Sequence, residues 1–161
     1  MKRKVLFVCL GNICRSPLAE AVFNDQIAKA GLETQFEADS CGTANYHVGD
    51  PPDPRTIRTA HKNGIPIQHV GRQLARQDFE RFDHILVMDA SNYQNTIQRA
   101  PEELHHKVEL MRHYDPDGPG RDVPDPYYGD ERDFQQVFEI LDRSIAQFIA
   151  RQQGSSAAPA R

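Results

Sequence analysis

Val5-Leu-Phe-Val-Cys9-Leu-Gly-Asn-Ile-Cys-Arg15-Ser16 is the stretch on which the reading of this chain turns. The short, β-branched and aromatic run Lys4–Val8 reads as a buried strand bounded by turn residues. It delivers Cys9 into a polar loop that holds Gly11 and Asn12, and Arg15 follows six residues after Cys9. Ser16-Pro17 then supplies a good N-cap and a good first helical residue. Strand, tight loop and helix start together make a socket for a phosphate dianion, with a thiol at its base.

The chemistry needs these residue types. A phosphate ester must be brought up to an anionic sulfur, so its charge has to be met locally. Successive backbone N–H groups of a tight loop (Leu10, Gly11, Asn12, Ile13, Cys14) can all face the phosphoryl oxygens. The helix N-terminus adds the positive end of its dipole. Arg15 offers a planar fork that holds two oxygens at once, which lysine cannot do. The same donors stabilise a thiolate, and Asn12 and Ser16 are placed to hold the loop and bond the sulfur.

Blander readings compete. Cysteine-to-arginine spacing alone is weak evidence in a chain with this many arginines, although Cys14 and Cys41 have no arginine at that distance. Cys9 could be a plain core thiol. Cys9 and Cys14 also have zinc-ligand spacing, but no second pair exists to complete a site. A Cys9–Cys14 disulfide would be a reversible redox state rather than a structural staple. The context of strand before, capped helix after and glycine within favours the anion socket.

Outward from this stretch, the first helix carries Leu18 and Val22 on one face and stops at Gly31. Phe36–Ser40 reads as a second strand, and 41–55 as a long loop rich in Gly, Pro and Asp that contains Cys41. Residues 55–62 read as a helix ended by Asn63-Gly64. Ile85–Met88 is an internal buried strand, Ser91 can cap a helix with Tyr93 and Ile97, and Val108–Met111 is a fourth strand. A second long loop spans 114–130. Phe134, Val137, Phe138, Leu141, Ile145, Phe148 and Ile149 then fall on one helical face. Alternating strands and helices predict an α/β fold: a doubly wound parallel sheet with helices on both faces and the phosphate-binding loop after the first strand. Such sheets bind ligands beyond the carboxyl ends of their strands, where Cys9 falls.

Composition agrees with this and limits the partners. The chain of 161 residues fits one domain with a real core, taken as 1–153, and the small, polar tail 154–161 is expected to be disordered. A net charge of −4 gives no general affinity for nucleic acid. The basic start, Met1 to Lys4, is followed by too short an apolar run for a signal peptide, and no stretch reaches transmembrane length. Three cysteines, an odd number, do not suit a secreted disulfide framework, so a cytoplasmic location is expected.

Two motifs carry a family resemblance. Cys9-Leu-Gly-Asn-Ile-Cys-Arg-Ser-Pro17 and Asp125-Pro-Tyr-Tyr-Gly129 resemble those of the low-molecular-weight protein tyrosine phosphatases, and the likeness extends over roughly residues 4–150. It includes Asp39-Ser40, Gly49-Asp-Pro-Pro52, Asn63-Gly-Ile-Pro66, His69, Phe82-Asp83 and Met88-Asp89. The resemblance implies a four-stranded sheet and two-step hydrolysis of phosphotyrosine through a cysteinyl-phosphate, with no metal and no cofactor. It implies Cys9 as nucleophile, Arg15 as the phosphate-binding residue and Asp125 as general acid. Asn12, Ser16, Ser40 and His69 match a supporting hydrogen-bond network. Cys14 matches the second cysteine that can trap Cys9 as a disulfide, Tyr127 and Tyr128 the wall beside the acid, and Tyr46 an aromatic lining the cleft. It further implies tyrosine-phosphorylated proteins as substrates, phosphate as product and inhibitor, and a monomer.

Without that motif the acid stays open among Asp115, Asp117, Asp122 and Asp125, all in one loop. Asp89, at a strand end, is a candidate for the edge of the site. An arsenate reductase on the same fold is a rival, but it would need further cysteines to relay a disulfide, and residues 75–95 hold none. Protein-arginine phosphatases of the family tend to carry threonine where this chain has Ile13. A purely phosphate-binding module would not need the acid.

Overall fold

A computed structural model describes residues 2–156. Four parallel strands, β1 (Arg3–Cys9), β2 (Phe36–Gly42), β3 (His84–Val87) and β4 (Val108–Leu110), lie in the order β2-β1-β3-β4. The helices are α1 (Arg15–Lys29), α2 (Pro54–Lys62), α3 (Asp78–Arg81), α4 (Ala90–Arg99) and α5 (Glu131–Ser156). Two 3₁₀ segments, Glu102–Lys107 and Met111–Tyr114, flank β4. This is the doubly wound α/β fold that the alternation predicts.

The period of two along β1 divides the core. Val5, Phe7 and Cys9 face a cluster with Leu18, Val22 and Phe23 of α1 and Leu141, Ile145 and Phe148 of α5. Leu6 and Val8 face the opposite cluster, with Phe79 of α3 and with Tyr93 and Ile97 of α4 packed against it. Both faces of the sheet are therefore covered, as buried parallel strands require. β1 pairs with β2 on one side and β3 on the other, so the winding reverses between β1 and β3. The crevice at that reversal lies between the loop after Cys9 and the turn at Met88-Asp89.

Several boundaries differ from those read in the sequence, each for a physical reason. α1 starts at Arg15 with Cys14 as its N-cap, so Ser16 is not the cap and Pro17 is the third helical residue. The Ser16 hydroxyl is engaged by Cys9 and Asn12 instead. Proline costs nothing at that third position because its missing N–H would have had no helical partner. Asp89, not Ser91, caps α4, accepting from Asn92 N at 2.7 Å. Cys41 belongs to β2 rather than to a loop and is fully buried. Met111 leaves β4 to begin a 3₁₀ turn.

Gly31 stops α1 as expected. Its φ is +70°, and the bonds Leu32 N to Ile27 O (2.8 Å) and Gly31 N to Ala28 O (3.2 Å) form a Schellman closure. At the other end of the chain α5 continues through Ser156, past the boundary drawn at 153. Its last turns are held where Arg3 Nη1 donates to the Gln152 carbonyl and side chain, both at 3.0 Å. The rest of the stretch expected to be disordered, 157–161, lies outside the described residues. None of the described helices is long and apolar enough to cross a membrane.

Candidate active site

The loop after β1 is built so that its carbonyls point outward. Thr43 N donates to Cys9 O (2.9 Å), Ala44 N to Leu10 O (3.0 Å) and Asp53 N to Ile13 O (2.9 Å). The N–H groups of Leu10, Gly11, Asn12, Ile13 and Cys14 donate to no other described residue. Five successive free amides beside a helix N-terminus make an anion cradle. Gly42 permits it: a Cβ there would stand 2.7 Å from Leu10 O, so the end of β2 can approach the loop only without a side chain.

Asn12 has a φ of +59°, the left-handed region, which turns the loop back on itself. Such a conformation costs on the order of 1 kcal/mol, and the Asn12 side chain offsets it. Its amide nitrogen donates to Ser16 Oγ (2.8 Å) and Ser40 Oγ (3.1 Å). Its amide oxygen accepts from Arg72 N (3.0 Å) and His69 Nε2 (2.7 Å). Ser40 in turn donates to Glu20 at 2.7 Å, and His69 Nδ1 lies 3.2 Å from the same carboxylate. The four residues expected to support the loop are thus brought into one network, which Glu20 and Arg72 extend.

Cys9 Sγ sits 3.0 Å from Ser16 Oγ, whose hydroxyl accepts from Asn12 and can donate either to that sulfur or to Cys41 O, 3.4 Å away. Cys14 is different. Burial pushes its thiol up to about 12, with the nearby Asp53, Cys9 and Asp125 acting in the same direction. A thiol held protonated in this way is a poor nucleophile. Cys41, sealed in the core, is likewise held in the thiol form by burial.

The Arg15 guanidinium is almost wholly buried and spans the crevice: its Nη1 donates to Asp89 Oδ2 and to Val123 O, each at 2.8 Å. Burial works against its charge, but Cys9, Asp89 and Asp125 outweigh that and hold its pKa above the ordinary arginine value. Asp89 therefore does two jobs with two oxygens, capping α4 with Oδ1 and orienting Arg15 with Oδ2. Asp125 is half-exposed, with Oδ2 3.9 Å from Arg15 Nη2 and Oδ1 accepting from Tyr127 N at 3.2 Å.

Of the four candidate aspartates in the second long loop, only Asp125 lines the cavity above Cys9. Asp115 is buried and its carboxyl is held below the usual range: burial opposes this, but Arg143, Asp117 N and Arg112 prevail. Asp122 accepts from Ala90 N. The cavity, about 340 Å³, is floored by Cys9, Gly11, Ile13, Cys14 and Arg15 and rimmed by Leu10, Tyr46, Asp125, Tyr127 and Tyr128. Tyr127 and Tyr128 meet edge to face with centroids 4.9 Å apart, and Tyr128 is 95% exposed, so it stands at the rim rather than deep in the slot.

His47 also lines the cavity, its ring 3.1 Å from Asp50 and against Gly11. It is not apparent in the sequence, nor are Arg55, Glu20 and Arg72, because no local pattern links them to the loop.

The fold and this site define an α/β protein that presents a thiol inside an anion-binding loop, facing a carboxylate across an aromatic-rimmed cleft. Residues 4–156 match the family model described as low molecular weight phosphotyrosine protein phosphatase. A protein of that name from Schizosaccharomyces pombe is 51% identical over 88% of this chain and 92% of its own length. One from Gallus gallus is 41% identical over 92% and 95%. A crystal structure of a protein tyrosine phosphatase from Entamoeba histolytica, 37% identical, covers 96% of this chain and 99% of its own with a TM-score of 0.93. The chain belongs to the low molecular weight phosphotyrosine protein phosphatase family.

Proposed function

We propose that the protein hydrolyses phosphotyrosine in proteins in two steps, through a phosphate bound to Cys9. The Cys9 sulfur attacks phosphorus while the loop amides and Arg15 hold the non-bridging oxygens. Asp125 gives its proton to the departing phenolate, whose pKa of about 10 makes that proton necessary. The same carboxylate then takes a proton from water as it displaces phosphate from sulfur. The observation that carries this reading is the convergence of Cys9, Arg15 and Asp125 on one cleft from opposite ends of the chain.

Cleft shape supports an aryl substrate. Cys9 is nearly sealed at the floor, while Tyr46 and Tyr128 stand high at the rim, so a long, flat phenyl phosphate can reach the sulfur and a short phosphoserine cannot. The arsenate-reductase alternative is not favoured, since Cys41 is buried within β2 and cannot carry a disulfide outward. The arginine-phosphatase alternative is not favoured either, with bulky Ile13 in the cleft floor. Cytoplasmic residence is part of the same reading, because a thiol nucleophile must stay reduced; a monomer is carried over from the family resemblance alone. Turnover of phosphotyrosine, phosphoarginine and phosphoserine peptides side by side tests it; equal rates on all three would reject it.

Redox control follows from the neighbouring thiols. Peroxide converts Cys9 to a sulfenic acid, and Cys14 condenses with it to a disulfide with loss of water. Peroxide-inactivated enzyme should recover with dithiothreitol, and the Cys14→Ser variant should recover markedly less as Cys9 proceeds to the irreversible sulfinic acid. Equal recovery of both would remove the protective role from Cys14.

A further inference from the structure

The segment that carries Asp125 is weakly tied to the rest of the molecule. Val123 ends its firm attachment, with its N–H on Met88 O at 2.7 Å and its carbonyl on Arg15. From 124 to 129, internal bonds prevail: Tyr127 N on Asp125 Oδ1 and Gly129 N on Pro126 O. Among the described residues, one hydrogen bond joins these six to a part of the chain distant in sequence, Arg55 Nη1 to Tyr127 O at 2.9 Å.

Arg55 is itself held firmly. Its Nε and Nη2 grip both oxygens of Asp53, at 3.0 and 2.9 Å, and this fork pairing raises its pKa above the ordinary value. Its guanidinium lies over two rings, 5.4 Å from the Tyr127 centroid and 4.7 Å from that of Phe134. Asp53 in turn donates its N–H to Ile13 O in the phosphate loop. A continuous path therefore runs from the loop that holds phosphate to the backbone of the segment that holds the acid. A planar, three-sided donor is needed at its centre, and lysine has no such geometry.

We infer that Arg55 is a positioning residue: it locks the Asp125 segment at a fixed height over the phosphate loop, so that the carboxyl reaches the leaving oxygen. This rests on Asp125 being the general acid. Proton transfer is sensitive to small displacements, and a shift of about 1 Å costs up to 10²-fold. Loss of the clamp costs rate only where a proton is needed, while phosphate binding, which uses the loop amides and Arg15, is untouched.

The experiment measures kcat/KM, which reports the first chemical step, for aryl phosphates whose leaving phenols range from strongly acidic (2,4-dinitrophenol) to weakly acidic (phenol). The Arg55→Met variant should lose about tenfold or more on phenyl phosphate and less than about threefold on 2,4-dinitrophenyl phosphate. Its inhibition constant for inorganic phosphate should stay at the wild-type value, and Arg55→Lys should recover only part of the loss. In an Asp125→Ala background the Arg55→Met change should cost nothing further, because the group it positions is gone. Equal losses across all leaving groups, or additive losses in the double variant, would overturn the positioning role while leaving Asp125 as the acid. A flat leaving-group profile in Asp125→Ala alone would instead remove the acid assignment, and the clamp's purpose with it.

Discussion

Cys9→Ser should reduce hydrolysis of aryl phosphates by at least about 10⁴-fold, to background, while inorganic phosphate binds as before. The two halves of this result separate the nucleophile from its socket. On the proposed mechanism phosphate is held by the amides from Leu10 to Cys14 and by the Arg15 fork, none of which the substitution touches. Turnover depends on an anionic sulfur. A serine hydroxyl ionises far less readily, and its neighbour here is Ser16 Oγ, another hydroxyl rather than a base. Cys14 cannot substitute, since burial holds it as a thiol. Rapid quenching of the wild-type enzyme on substrate should yield S-phosphorylated protein and the variant none. Residual turnover within about tenfold of wild type would reject Cys9 as nucleophile.

Asp125→Ala should lower kcat/KM for phenyl phosphate by about 10²- to 10⁴-fold, the usual contribution of a positioned general acid. The loss should shrink as the leaving phenol becomes more acidic, because a stable phenolate departs without a proton. Two of the other carboxylates are already engaged: Asp89 spans Arg15 and the start of α4, and Asp115 lies buried between two arginines. Neither can swing into the cleft without breaking those pairs. A loss below about threefold on phenyl phosphate would point to another proton donor.

How much of this is legible in the sequence depends on the range of the interactions involved. The β1–loop–α1 unit reads well because its determinants sit within a dozen residues, and strand period and turn residues agree there. The start of α1 reads two positions late for an instructive reason. Ser16 has every property of a cap, but tertiary contacts with Cys9 and Asn12 take its hydroxyl, so Cys14 occupies the cap position without a side-chain bond. The choice of Asp125 among four loop aspartates needs the family motif, since local chemistry is the same for all. Asp89 as orienter of Arg15 is a contact across 74 residues, and the Arg55 clamp spans 72. Neither leaves a periodic trace, so only the folded chain reveals them.

The different settings of the three buried sulfurs also give the molecule a built-in gauge of its own integrity. Iodoacetate carries a carboxylate of the kind the anion cradle beside Cys9 would accept, whereas burial keeps Cys14 protonated and Cys41 lies fully buried within β2. Carboxymethylation of the intact protein should thus stop at one equivalent, and the urea-unfolded chain should take up three, one for each cysteine. A sample whose count creeps above one before denaturant is added is already losing its interior.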